Sequence, residues 1–255
     1  MNTLRIAWQT FTVLRRDRVF LPALVLGILI IALAQLAGQW GIEEYFKFVY
    51  DLGTTGFHTI GAVVAILWGT KMIADSRQEG SLEVELAAPV SRTTWLLGKF
   101  FGLCLALVLL GAILILVWQG LLTMYNFPPF EYKSVVIMAM LLMGWFVLAA
   151  TAVFFAALTS QATALFSCLC MWLAGLVSTP IANVLSPTTP ESTRKVVTAI
   201  ARFWDLSRFN LGSYAFAGTF PSRTELLWIF AYGCFLSGAL LGLACIVFSR
   251  RDLVA

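Results

Sequence analysis

Charged residues fall along this chain in short bursts, separated by long stretches that hold none. Uncharged runs extend from Val19 to Ile42, Leu52 to Thr70, Phe100 to Phe130, Ser134 to Pro190 and Leu226 to Ser249. A helix that crosses a bilayer needs about 20 mainly apolar residues, because the hydrocarbon core is about 30 Å thick and each residue rises about 1.5 Å. The Ser134–Pro190 run is twice the length of one span and breaks at the polar turn from Thr159 to Thr163, so it reads as a hairpin of two. The pattern therefore predicts an all-α, polytopic membrane protein with six transmembrane helices, at residues 19–38, 52–72, 98–124, 134–158, 162–184 and 225–249.

The bursts between these runs divide into distinct elements. Residues 1–18 read as an interfacial amphipathic helix: Leu4, Ala7, Trp8, Phe11 and Leu14 share one face, with Arg5, Gln9, Thr12 and Arg16 opposite. Such a helix lies in the membrane plane, with Arg15 and Arg18 reaching to phosphates. Residues 77–92 form a short charged insert between spans two and three. Gly80 breaks the chain, Ser81 is an N-cap candidate, and Pro89 is a helix stop, leaving about two helical turns from Leu82 to Ala88. Leu82 and Leu86 share a face, with Glu83 and Glu85 beside them, and Ser91 is placed to cap the next helix. Two readings of this peg stand together: a loop helix lying in headgroups, or a docking element for another protein. In the 185–224 loop, Thr188 and Glu191 fit a capping box, and Val196, Val197, Ile200, Phe203 and Trp204 form an apolar face opposite Arg194, Thr198, Arg202 and Asp205.

Composition agrees with a membrane protein. The chain is 60% hydrophobic and 12% charged, against about 45–50% apolar and 25% charged in soluble domains. It reads as one transmembrane domain over residues 1–255, without internal repeats. The charged, amphipathic start argues against a signal peptide. Arg5, Arg15, Arg16, Arg18, Lys71, Arg77, Arg92, Lys99, Arg250 and Arg251 fall on one side of a six-span topology. Positive residues in short flanks mark the cytoplasmic side, so both termini and the insert are expected there, in a bacterial inner membrane. The long 185–224 loop is then extracytoplasmic.

Candidate chemistry is sparse. Cys104, Cys168, Cys170, Cys234 and Cys245 all lie in expected spans and read as packing residues. Cys168 and Cys170 are two apart, about 200° around a helix, so one metal ion does not easily use both. His58, near the outer end of span two, reads as a hydrogen-bonded interfacial residue. Apart from it the uncharged runs hold no Asp, Glu, Lys, Arg or His, which argues against a proton- or ion-coupled transporter and against channels lined by charge rings. A lipid-modifying enzyme needs a cluster of catalytic groups that is not seen, so no catalytic residue and no metal site is expected. Nothing points to nucleic acid.

The stretches RRDRVFL, WGTKMIADSRQEGSLEVELAAPVSRTTWLLGKFFG and FSRRDL resemble permease subunits of ABC-2-type transporters. The stretch WDLSRFNLGSYAFAGTFPSRTELLWIFAYG is similar to a branch labelled as multi-copper-enzyme maturation permeases, related to the nitrous-oxide-reductase copper permease. The resemblance implies that the insert is a coupling helix seated in a cytoplasmic ATPase subunit. It places Glu79, Gly80, Leu82, Glu83, Leu86, Pro89, Ser91 and Arg92 at that interface, and Arg5, Trp8, Phe11, Arg15, Arg16 and Arg18 on the interfacial helix. It implies two ATPase copies carrying ATP and Mg, a second permease copy, and outer helices that gate the exit, with Ile200, Phe203 and Trp204 as gate candidates. The chain has no P-loop: before Gly98-Lys99, Thr93 stands where the first Gly belongs, and Phe100 where Ser or Thr belongs. ATP hydrolysis is expected from the partner, not from this chain.

The spans, rich in Phe, Trp and Leu, suit a lipid-like, peptide-like or other amphipathic cargo. A direct copper path would favour an aligned row of Met and Cys, whereas Met138 and Met140 project to different sides of their helix. A rival reading keeps the architecture but couples ATP hydrolysis to a periplasmic or envelope partner, without transport.

Overall fold

The structure, a computed structural model, describes residues 3–38, 45–78, 91–124, 131–184, 203–215 and 220–250. Its α-helices are α1 (Thr3–Arg15), α2 (Phe20–Gly38), α3 (Tyr45–Gln78), α4 (Arg92–Met124), α5 (Tyr132–Leu158), α6 (Gln161–Val184) and α7 (Arg223–Arg250). Two short 3-10 turns, Leu206–Phe209 and Gly212–Ala215, precede α7, and no strand occurs among the described residues. Helices α3 and α4 run past the charges that bound their apolar runs. A charge ends an apolar stretch without ending a helix, because long polar side chains reach the headgroups from a continuing helix.

Four helical stretches are long and apolar enough to cross a membrane: Val49–Ser76, Arg92–Thr123, Tyr132–Leu158 and Arg223–Ser249. The α1–α2 pair, bent by 64°, makes a fifth if counted as one span, and the apolar stretch of α6, Gln161–Val177, is shorter. The expected hairpin of two helices is present, with its turn at Thr159 and Ser160.

The core is built on α3 and α5, which pack closely because glycines on one helix receive large side chains of its neighbours. A Cβ at Gly61 would fall within the Trp145 indole, and Gly53 stands in the same relation to Trp118 of α4. Trp145 is fully buried, stacks on Phe57 at 4.6 Å and donates from Nε1 to the His58 carbonyl at 3.2 Å. Around this pair, α2 packs on α3 and α4, α6 on α3 and α5, and α7 on α5. Leu26, Leu29 and Leu33 of α2 and Leu227, Trp228 and Phe235 of α7 are exposed, as lipid-facing positions are.

Helix α1 divides its apolar residues differently from the single face expected. Ile6, Ala7, Thr10 and Leu14 are buried against α4, whose Gly98 and Gly102 leave room for them. An added Cβ at Gly102 would lie 2.5 Å from the Ala7 carbonyl oxygen. Leu4 and Trp8 stay on a separate, exposed flank and Phe11 is half-buried. The periodicity shows one broad stripe; packing on α4 claims only part of it.

Candidate functional site

The expected interface residues Glu79, Gly80, Leu82, Glu83, Leu86 and Pro89 lie outside the described residues, as does Ile200. The helix ends that carry the insert are described, and polar contacts tie them together. Ser91 caps α4, accepting from Thr94 N at 3.2 Å, which supplies one of the acceptors a helix start lacks. One residue on, Arg92 Nη1 donates to the Ser249 carbonyl at 3.3 Å, placing a cation at the C-terminal end of α7. Trp95 of α4 and Phe248 of α7 stack at 5.4 Å with an 8° interplanar angle, both buried. Lys99 lies 5.1 Å over the Trp95 ring and donates to Ser76 Oγ of α3 at 3.3 Å.

The turn between α1 and α2 joins the same assembly. Asp17 Oδ1 accepts from Val19 N at 2.8 Å, and Oδ2 is held by Lys71 Nζ of α3 at 2.6 Å. Four helices, α2, α3, α4 and α7, are thus linked side chain by side chain beside residues 79–90, and α1 is bound to α4 by packing. Spacing rules foresee the Ser91 cap. The partners Asp17, Lys71, Ser76 and Lys99 come from separate charged bursts, whose pairing no local pattern reveals.

At the opposite end, residues 203–215, which include the two short 3-10 turns, wedge into the bundle. Phe209 is fully buried, with its side chain against Gly144 of α5 and Gly233 of α7. Leu206 occupies the space left by Gly175 of α6, and Gly212 meets Thr54 of α3. Gly144, Gly175 and Gly233 lie nine to twelve residues inside their helices, about 13–18 Å at 1.5 Å per residue. Hydrogen bonds tie the segment to its neighbours: Trp204 Nε1 donates to the Met171 carbonyl of α6 at 2.7 Å, and Tyr232 Oη of α7 donates to the Phe203 carbonyl at 2.6 Å and accepts from Asp205 N at 3.3 Å.

The wedge carries charge inward. Asp205, expected on the polar side of a loop helix, is buried. Its carboxylate accepts from Ser207 N at 3.2 Å, Ser207 Oγ at 2.6 Å and Arg208 Nε at 3.0 Å. Arg208 also lies 5.5 Å from the Tyr232 ring centroid. Of the gate candidates, Trp204 is buried and Phe203 is 61% exposed, so the face expected to hold both is split.

His58 departs from its expected role. It is buried, and neither ring nitrogen has a hydrogen-bond partner among the described residues. Because α3 begins at Tyr45, His58 is thirteen residues into the helix, about 20 Å from its start, rather than at an interface. A Cβ at Gly144 would lie 3.4 Å from His58 Cε1 and 3.2 Å from Phe209 Cβ, so the imidazole and the wedge tip both border Gly144. On α6, Cys168 is buried and Cys170 exposed, in keeping with their angular separation.

A family model described as "ABC-2 family transporter protein" matches residues 4–253. No curated protein matches the chain.

Proposed function

The chain belongs to the ABC-2 family of transporter proteins, and from that premise we propose that it is the membrane half of an ATP-driven exporter, coupled to its motor through residues 79–90. Membership makes it a multi-pass membrane permease and implies an ATPase subunit as partner. The finer reading is ours. Two permease copies pair with two ATPases that carry ATP and Mg. Six spans place both termini and the insert in the cytoplasm of a bacterial cell, and the cargo is amphipathic, lipid-like or peptide-like.

One observation carries the coupling assignment. The insert emerges from α3 and α4, and the ends of both are fastened to each other and to α2 and α7, through Lys99 to Ser76, Lys71 to Asp17, Arg92 to Ser249 and Trp95 against Phe248. A push delivered to residues 79–90 therefore reaches several helices together. At the other end, the Phe209 wedge between Gly144 and Gly233 acts as the gate: withdrawing it opens the bundle toward His58.

The test is co-purification of the tagged chain from its native membrane in mild detergent, with the companions identified by mass spectrometry. A P-loop ATPase recovered with the native chain and lost from Leu82→Asp/Leu86→Asp is the expected result. Recovery of the ATPase with the double variant, at unchanged yield and melting temperature, would remove the insert from the coupling interface.

A further inference from the structure

The outer surface of α1 and of its turn into α2 is cationic, with no acid among the described residues left to balance it. Arg5, Arg15, Arg16 and Arg18 are all exposed, and none pairs with an acidic side chain among the described residues. The single acid between residues 3 and 20 is Asp17, and it is spent inward, with Lys71 on one carboxylate oxygen and the Val19 amide on the other.

The helix has three faces. Ile6, Ala7, Thr10 and Leu14 are taken up by α4. Leu4 and Trp8, 81% and 65% exposed, form an apolar flank, and Arg5, Gln9 and Arg16 lie on the next. Thirteen residues span about 20 Å, too short to cross a bilayer, and the 64° bend from α2 turns α1 away from the direction of the spans. An apolar flank beside a basic one, on a helix turned across the spans, fits the boundary between headgroups and acyl chains. An acidic protein surface would answer the arginines but leave Leu4 and Trp8 without apolar cover.

We propose that the outer face of α1 and the α1–α2 turn is a docking site for anionic phospholipid headgroups, selecting them over zwitterionic ones. Guanidinium groups take phosphate in paired hydrogen bonds, and the uncompensated charge distinguishes a net-negative headgroup from a neutral one. The site needs only a chain seated in a bilayer, so it stands or falls apart from the ATPase reading.

The test uses the full chain, purified in mild detergent and equilibrated with equimolar phosphatidylglycerol and phosphatidylcholine of matched acyl chains. Native mass spectrometry counts the retained lipids. The native chain is expected to enrich phosphatidylglycerol at least tenfold over phosphatidylcholine. Each basic residue near an anionic surface contributes roughly fivefold, so Arg5→Gln/Arg15→Gln/Arg16→Gln/Arg18→Gln brings the ratio close to one. Lys133→Gln/Arg223→Gln, at the opposite end of the bundle, leaves the enrichment in place. A measurement on the native chain guards against misfolding of the quadruple variant. Raising salt from about 0.05 to 0.5 M shortens the screening length from about 14 to 4 Å and must reduce the enrichment. Equal retention of the two lipids by the native chain, enrichment that survives the four substitutions, or enrichment indifferent to salt each overturns the proposal. So does an enrichment abolished equally by the opposite-end pair.

Discussion

Asp17 fastens the α1–α2 turn to α3, and a double-mutant cycle on Asp17 and Lys71 measures that fastening directly. At 2.6 Å, with an effective dielectric constant of about 20, two unit charges attract by about 6 kcal/mol. Two effects reduce the net value. The Lys71 side chain is 38% exposed, so water screens it, and Asp17 is drawn to 11% exposure at a desolvation cost. The expected coupling energy is about 1–2 kcal/mol, above the roughly 0.2–1 kcal/mol of exposed pairs and below the 3–5 kcal/mol lost on breaking a fully buried one. The variants are Asp17→Asn, Lys71→Met and the double, unfolded reversibly in detergent–SDS mixtures and monitored by circular dichroism. Asp17→Asn keeps an oxygen for the Val19 amide, whereas Asp17→Ala removes it and should cost about 1 kcal/mol more, the value of a lost hydrogen bond in the turn. A coupling energy below about 0.3 kcal/mol, or an alanine variant as stable as the asparagine one, would refute the view that this carboxylate both pairs and holds the turn.

The core and the wedge yield two further expected outcomes. Phe209→Ala empties a fully buried site between Gly144 and Gly233, with an expected loss of about 3–5 kcal/mol in the same unfolding assay. In a background whose five native cysteines are replaced, it should also speed labelling of His58→Cys by a membrane-impermeant thiol reagent at least tenfold; unchanged labelling would separate the wedge from gating. Gly61→Ala drives a methyl group into the Trp145 indole, against which Phe57 stacks, and should cost about 1–3 kcal/mol by thermal unfolding. A melting temperature unmoved by that substitution would mean that α3 and α5 are not in close contact there.

The helices are legible in the sequence because membrane spans announce themselves by hydropathy, and the Ser91 cap is legible because capping is local. The hidden features depend on tertiary partners. The periodicity of α1 groups Ala7 and Leu14 with Leu4 and Trp8, and only the approach of Gly98 and Gly102 separates the docked residues from the exposed ones. Counting from the first uncharged residue sets His58 near an interface, but the helix starts seven residues earlier, at Tyr45, and carries it into the core. The start of the wedge, residues 203–205, reads as the end of a surface helix because Arg194, Thr198, Arg202 and Asp205 look like solvent positions. Its signal is present in another form. Trp204, Leu206 and Phe209 are bulky residues around an Asp-x-Ser-Arg turn, and Gly144, Gly175 and Gly233 on three separate helices need large side chains to fill the space they leave.

The two ends of the bundle are joined by the pair of helices that can deform least. Gly61 against Trp145 and Gly69 against Ala152 lock α3 to α5 over much of their shared length, leaving little room to slide. Helix α3 carries Lys71 and Ser76 at the insert end, and α5 carries Gly144, the seat of Phe209, toward the other. On the coupling reading, a force entering at residues 79–90 cannot be absorbed by local repacking of this pair and is passed on as a rigid tilt. The softer element is the wedge, held by two turns of chain and by hydrogen bonds from Trp204 and Tyr232 to single carbonyls. Tilting α5 shifts Gly144 relative to Gly233 of α7 and alters the slot that grips Phe209. On that reading the close α3–α5 packing links the wedge to a motor at the other end, and Gly61→Ala, by loosening the α3–α5 contact, should weaken that response as well as stability.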